Sequence, residues 1–301
     1  MSLLVTGSIG IDTVESPAGR IVDALGGSSV YFSYAAAFFS PVRFVGVVGE
    51  DCPTNFLKPL HDKPEIDMAG LEVREGSKTF RWHGRYHDDV NERDTIEVDL
   101  NVLGEEGPRI PDSFKDSKYV FLANTHPALQ MQLLDSLSDS ALVVADTMDL
   151  WIKTEHPLLL ELIKRIDGLV LNDSEAKLLT GKYNVVEAGL EISAMLKKFC
   201  VIKKGEHGSL LFMGEKVSAL PSYPTLKVVD PTGAGDSFAG AMMGHIAAED
   251  SIDRAVICKA IAYGTVTASL GIEGFSLNRF QQVRREDIEE RMDLFRDIVE
   301  F

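Results

Sequence analysis

Cationic side chains are scarce in this 301-residue chain: 30 Lys and Arg face 46 Asp and Glu, for a net charge of −16. A polyanion would be repelled by such a surface rather than gain affinity through counterion release, so nucleic acid is not an expected partner. Cysteine is almost missing. Cys52, Cys200 and Cys258 lie far apart with no Cys-x-x-Cys pair, which offers neither a disulfide framework nor a zinc site and fits a reducing compartment. All three read as packing residues. No basic and apolar leader opens the chain, since Met1-Ser-Leu-Leu-Val-Thr-Gly runs straight into a strand-like segment, and a cytoplasmic protein is expected. Long apolar runs are lacking too. Val30–Gly49 comes nearest to a membrane span but is interrupted by Ser33, Ser40, Pro41 and Arg43, so no membrane association is expected. There is no linker, internal repeat or low-complexity tract. What is present, 45% hydrophobic and 25% charged residues, is the make-up of an ordinary globular enzyme, and the length predicts a single large domain over residues 1–301.

Short β-rich apolar runs alternate with longer helical patterns. Leu3–Ser8, Phe44–Val48, Tyr119–Leu122, Ala141–Ala145, Gly168–Leu171 and Cys200–Ile202 read as buried strands. Val30–Phe39, Ala128–Leu137, His156–Ile166, Ser174–Leu179 and Val186–Phe199 read as the helices between them. This alternation predicts an α/β fold, a doubly wound and mainly parallel sheet flanked by helices. After Gly208 two short strands, Ser209–Met213 and Lys216–Ala219, precede the helices Gly235–Ala248, Asp253–Ser269 and Arg285–Val299. Two segments, about 12–25 and 68–100, do not fit the winding and are expected to pair as a small separate sheet. Ligands of open α/β sheets bind beyond the carboxyl ends of the strands, so such a sheet would lie over the site as a lid.

The most informative stretch is Val228-Val-Asp-Pro-Thr-Gly-Ala-Gly-Asp-Ser-Phe, where a strand gives way to a turn of small residues and then to a helix. Gly233, Ala234 and Gly235 let backbone N–H groups approach an anion at the positive end of that helix. Asp236 falls in its first turn. A carboxylate beside a phosphate cradle is electrostatically costly unless it accepts a proton from a group attacking that phosphate, which is the task of a base in phosphoryl transfer. Read alone, the four residues Gly-Ala-Gly-Asp are also a plain turn with an acidic residue favoured by the helix dipole.

The longer string Asp-Pro-Thr-Gly-Ala-Gly-Asp-Ser-Phe closely resembles the C-terminal signature of the phosphofructokinase-B (PfkB) or ribokinase-like family of sugar and nucleoside kinases. Other segments agree in order along nearly the whole chain. Gly7-Ser-Ile-Gly-Ile-Asp12 is similar to the first strand and substrate-binding Asp, Gly26-Gly27 to the di-glycine signature, Asn172-Asp-Ser-Glu175 to the Asn-x-x-Glu motif, and Lys204-Gly-Glu-His-Gly208 to the glycine turn near the nucleotide. The resemblance implies a ribokinase-like fold with a β-lid and transfer of the ATP γ-phosphate to a primary hydroxyl. It makes Asp236 the catalytic base, with Gly233, Ala234 and Gly235 as the anion hole. Asn172 and Glu175 would organise Mg²⁺ and its waters, and Lys203, Gly205 and Gly208 would line the nucleotide side. Asp12 would accept hydrogen bonds from two substrate hydroxyls, a task that two carboxylate oxygens serve well. Gly26, Gly27, Tyr31 and Asn124 would stand near it, and Asp230 with Thr232 would place oxygens around a monovalent cation such as K⁺.

Each assignment has a structural alternative: Asn172 and Glu175 form a capping pattern at a helix start, and Asp12 is also an ordinary turn residue. The chain departs from the family in two places. Where relatives carry an Asn after the di-glycine, it offers Tyr31 or Ser33, and Lys203 stands where Thr is usual. The lid candidate Phe80-Arg-Trp-His-Gly-Arg-Tyr86 suits stacking on a substrate, lid-on-lid packing in a homodimer, or plain solvent cover. His83 and His87 lack the carboxylate spacing of a metal site, and Thr180-Gly-Lys-Tyr is a helix C-cap rather than a Walker motif. The expected function is an ATP- and Mg²⁺-dependent kinase with a nucleoside acceptor. A free-sugar kinase and a non-catalytic nucleotide-binding regulator are the alternatives.

Overall fold

The computed structural model describes residues 2–138 and 140–300; Met1, Asp139 and Phe301 lie outside the described residues. In chain order the first half comprises β1 (Leu3–Thr6), β2 (Gly10–Ser16), β3 (Gly19–Gly26), α1 (Ser28–Ala36), β4 (Val42–Gly49), α2 (Lys58–His61), β5 (Ile66–Arg74), β6 (Phe80–Tyr86), β7 (Arg93–Asp99), β8 (Tyr119–Leu122) and α3 (Pro127–Asp135). The second half comprises β9 (Leu142–Asp146), α4 (Asp149–Thr154), α5 (His156–Arg165), β10 (Gly168–Asn172), α6 (Asp173–Thr180), α7 (Val185–Met195), β11 (Phe199–Lys203), β12 (Ser209–Met213), β13 (Lys216–Leu220), α8 (Ala234–Glu249), α9 (Arg254–Gly271) and α10 (Arg285–Val299).

The continuous apolar runs become strands buried on both faces, as a parallel sheet covered by helices requires. Leu3, Val5, Tyr119, Phe121, Val144, Val170 and Val201 face one core with α1, α8 and α9. Their neighbours Leu4, Val120, Leu122, Val143, Leu169, Leu171 and Ile202 face a second core with α5, α6 and α7. Among the described residues the large sheet has the order β13-β12-β11-β10-β9-β8-β1-β4-β5, with every strand parallel except β12, which pairs antiparallel with both β11 and β13. The chain winds outward from β1 in both directions, toward β4 and β5 and then toward β8 to β11. Its ligand crevice therefore opens at the carboxyl ends beside β1, the point where the winding reverses.

The small sheet has the order β3-β2-β6-β7, with its central pair β2 and β6 parallel. The expected lid boundary at 68 is corrected: residues 68–74 belong to β5, which pairs with β4 at the edge of the large sheet. Helix α7 also ends earlier than its apolar pattern suggests. It stops at Met195, and Phe199 instead starts β11, where its side chain is fully buried.

Helix α8 is apolar all round because it lies between two other helices, with every residue from Ser237 to Ala247 buried. Its glycines make that approach possible. A Cβ on Gly240 would fall on the Phe32 carbonyl oxygen of α1, one on Gly244 would lie 2.7 Å from the Ala36 carbonyl oxygen, and Gly264 of α9 meets Phe238 of α8 in the same way. Close packing on both sides drives the N-terminus of α8 into the middle of the molecule, below the carboxyl edge of the sheet.

Candidate active site

A cavity of about 1120 Å³ opens at that edge, with one wall from the large sheet and α8 and the other from the small sheet. Phe80, Trp82, Tyr86, Asn91 and Arg93 face it from the small sheet, and Asp12, Asn124, Asp146, Glu175, Lys203 and the residues 231–236 face it from the body.

The floor is the turn into α8. Gly233 takes a left-handed φ of 74°, and a Cβ there would fall on the Tyr31 ring, which packs beneath the turn. Only glycine meets both demands. Of the three expected anion-hole amides, Ala234 N–H donates to the Pro231 carbonyl at 3.1 Å. Gly235 N–H lies in the first helical turn, where amides have no partner within the helix. Above Gly235 stands the Lys203 ammonium, so near that a Cβ on Gly235 would be 2.6 Å from Nζ. Burial raises the Asp236 carboxyl to about 6, while the charges of Lys203 and Arg93 hold it down. The side chain thus ionises near neutrality at the positive end of a helix.

Arg93 reaches the same charges from the small sheet. Its guanidinium stands beside the Tyr86 hydroxyl and 5.6 Å from the Trp82 ring, and Glu175 and Asp236 both favour its charge. The Thr232 hydroxyl donates to Tyr86 Oη at 3.2 Å. The Thr232–Tyr86 hydrogen bond therefore joins the small sheet to the turn before α8. Beside Lys203, Asn91 Oδ1 comes within 2.8 Å of where a Cβ on Gly205, one of the residues expected to line a nucleotide, would be. Gly205 and Gly208 both hold left-handed backbone, and a Cβ on Gly208 would collide with the Leu220 carbonyl.

At the other end, Asp12 is fully enclosed, and a Cβ on Gly26 would fall on its carboxylate. Burial, then the charges of Asp230 and Asp236, push its carboxyl up to about 8. Gly27, with φ of 104°, lets the turn pass the Ser8 carbonyl. Tyr31 keeps its ring under Gly233, whereas Ser33 donates to the Ser29 carbonyl at 2.6 Å in the core and is not available to a ligand.

Asn172 and Glu175 do form the capping box: Asn172 Oδ1 accepts from Glu175 N, and Asn172 N donates to Glu175 Oε2, both at 2.7 Å. Glu175 also lines the cavity, and burial raises its carboxyl. Asp230 is buried with Oδ1 accepting from Thr232 N at 2.9 Å and Oδ2 from Ser276 N at 3.3 Å. These two oxygens brace the loop before α8. His83 and His87 pair separately, with Glu15 at 3.1 Å and Asp94 at 3.0 Å, and no group of three metal-capable side chains occurs among the described residues.

Arg93, Asp146 and Trp151 are among the cavity residues that escaped the sequence reading. Asp146 ends β9 and is 5% exposed, with Oδ1 unpartnered. Burial and then the charge of Asp236 raise its carboxyl strongly. Its position just past a buried strand on the ligand edge is a signal the sequence contained. Asp12 Oδ1, Thr125 Oγ1, Thr147 Oγ1 and Ser209 Oγ are likewise buried, unpartnered and in this cavity wall. Orphaned polar atoms gathered in one cavity indicate a polar ligand that completes them.

Comparison with known proteins agrees with this geometry. The pfkB family of carbohydrate kinases matches residues 33–279. The cytidine kinase of Thermococcus kodakarensis is 31% identical over 249 residues, spanning 81% of this chain and 87% of that protein. The nucleoside kinase of Methanocaldococcus jannaschii is 26% identical over 166 residues, or 54% of this chain and 51% of that one. Among solved structures, the Burkholderia thailandensis nucleoside kinase in complex with inosine superposes with a TM-score of 0.77 at 21% identity, covering 97% of this chain and 98% of its own. A ribokinase from Thermotoga maritima gives 0.76 at 20% identity, with coverage of 97% and 99%.

Proposed function

The chain belongs to the pfkB family of carbohydrate kinases, and from that premise we propose that it transfers the γ-phosphate of ATP to the primary hydroxyl of a nucleoside. The observation that carries the proposal is Asp236: a carboxyl lining the cavity in the first turn of α8, beside a glycine turn and with the charges of Lys203 and Arg93 near it. In this reading Asp236 Oδ takes the proton of the attacking hydroxyl. The Gly233–Gly235 turn and the end of α8 hold phosphate oxygens, and Lys203 and Arg93 balance charge that builds on them. Asp12, in the enclosed end of the cavity, accepts hydrogen bonds from two sugar hydroxyls and so places the third hydroxyl toward Asp236.

The wall also fits a triphosphate with a hard cation. The glycine cradle has no room for side chains, and the unpartnered Asp146 and the half-buried Glu175 offer carboxylate oxygens, the donors Mg²⁺ prefers. Mg²⁺ held by these carboxylates would supply neutralisation of phosphate charge. The K⁺ expected at Asp230 and Thr232 is a separate matter, tested by exchanging K⁺ for Na⁺.

A nucleoside is favoured over a free sugar because aromatic groups line the cavity on two sides, Phe80, Trp82 and Tyr86 from the small sheet and Trp151 opposite. A relative that matches this chain over 87% of its own length is named a cytidine kinase. The test is ADP formation with ATP and Mg²⁺ across adenosine, inosine, guanosine, cytidine, ribose, fructose and ketodeoxygluconate. Selective turnover of a nucleoside supports the reading, turnover of a free sugar alone overturns the acceptor, and ATP binding without turnover favours the regulator. Asp236→Asn is expected to lower kcat by about 10²–10⁴-fold with ATP binding kept.

A further inference from the structure

Asn124 lies just beyond β8, half-buried in the cavity wall. Its Oδ1 accepts a hydrogen bond from Trp151 Nε1 at 3.0 Å. An indole nitrogen can only donate, so the two ends of this amide are not interchangeable: Oδ1 must face the indole and Nδ2 must point away. Nδ2 lies 3.1 Å from Met148 Sδ, and a thioether is a weak acceptor that a ligand oxygen or nitrogen readily replaces.

The indole is itself held in place. His126 stands edge-on to it with ring centres 5.0 Å apart. That histidine is fixed as the cap of α3, its Nδ1 accepting from Ala128 N at 3.1 Å, and its Nε2 lies 3.6 Å from Glu155 Oε1. On the opposite flank, Ser28 Oγ donates to the Asn124 carbonyl oxygen at 3.5 Å. Ser28 follows the Gly26-Gly27 turn that packs on Asp12, so Asn124 borders the sugar end of the cavity.

We propose that Trp151 is a positioning residue that locks the Asn124 amide with its NH₂ group toward the acceptor, so that the enzyme selects nucleobases carrying a hydrogen-bond acceptor beside the glycosidic bond, pyrimidine O2 or purine N3. This rests on the nucleoside reading above. A base lacking that acceptor leaves the Asn124 donor unpaired in a half-buried wall, which is the way a polar site rejects a near-identical substrate.

The test compares kcat/KM for cytidine with 2-thiocytidine and for adenosine with 3-deazaadenosine, using whichever parent is turned over. The wild type should favour the parent by about tenfold or more, equivalent to about 1.4 kcal/mol. In Trp151→Phe the ring remains but the donor is gone, the amide is free to turn, and the preference should shrink to about twofold with KM for ATP unchanged. Asn124→Asp keeps an oxygen for the indole and removes the donor. It should close the gap by lowering turnover of the parent, and it decides the matter if Trp151→Phe does not fold. Equal turnover of parent and analogue by the wild type overturns the assignment of Asn124 alone, and an undiminished preference in Trp151→Phe overturns the role of Trp151. Turnover of no nucleoside at all overturns the nucleoside reading and this inference with it.

Discussion

Two carboxyls that line the cavity, Asp236 and Asp12, are both raised by burial and differ in the charges around them. Asp236 titrates at about 6 because Lys203 and Arg93 offset much of its burial. The base must be ionised to accept a proton, so kcat/KM should fall as pH drops through about 6. In Lys203→Met one offsetting charge is gone, the carboxyl rises, and the acidic limb should move to higher pH; a pH–rate profile of both proteins checks this. Asp12, raised to about 8 chiefly by burial, lies above its unfolded value. Its contribution to stability is therefore full below the unfolded carboxyl range and is lost as pH rises toward 8. Asp12→Asn should melt higher than the wild type at pH near 8, with the difference shrinking toward pH 5, while losing acceptor binding. Asp12, Asp236, Gly233 and Glu175 were legible from sequence because each belongs to a local string. Arg93 and Trp151 were not, since their places depend on strand register and on a six-residue helix with no periodic pattern of its own.

The elements were legible where burial alone dictates them. Fully apolar runs such as Tyr119–Leu122 have no periodicity to misread once they are flanked by helices, and Pro41 separates α1 from β4 as expected. Reading failed at the edge of the sheet, where β5 mixes exposed and buried positions and resembles a lid strand in pattern; only its pairing with β4 distinguishes it. The α1–α8–α9 layer carries the next prediction. A methyl group on Gly240 meets backbone rather than a flexible side chain, so it cannot be accommodated by a rotamer change. Gly240→Ala should cost about 1–3 kcal/mol in urea unfolding, and kcat should drop because the N-terminus of α8 shifts under the phosphates.

At the scale of the whole molecule, the nine-stranded sheet seen among the described residues, packed on both faces, forms a body beside which the four-stranded sheet lies. No helix among the described residues is long and apolar enough to cross a membrane. Strand β7 is exposed along its length and forms an edge of the small sheet, with Ile96 46% exposed and outside the cavity lining. Open edges of this kind invite pairing with a second copy, and the charges of Arg93, Asp94, Glu97 and Asp99 along this one oppose it. The parallel pairing of β2 with β6 has a further consequence, for the order in which the chain folds. These two strands leave the body on separate excursions, with α1, β4 and β5 between them. A hairpin can form locally, but this pair must wait until β1, β4 and β5 have brought its ends together, because the loop entropy is recovered only then. The β2–β6 pairing is thus expected to form only after β1, β4 and β5 are in place, and hydrogen exchange should find its amides opening before those of the large sheet.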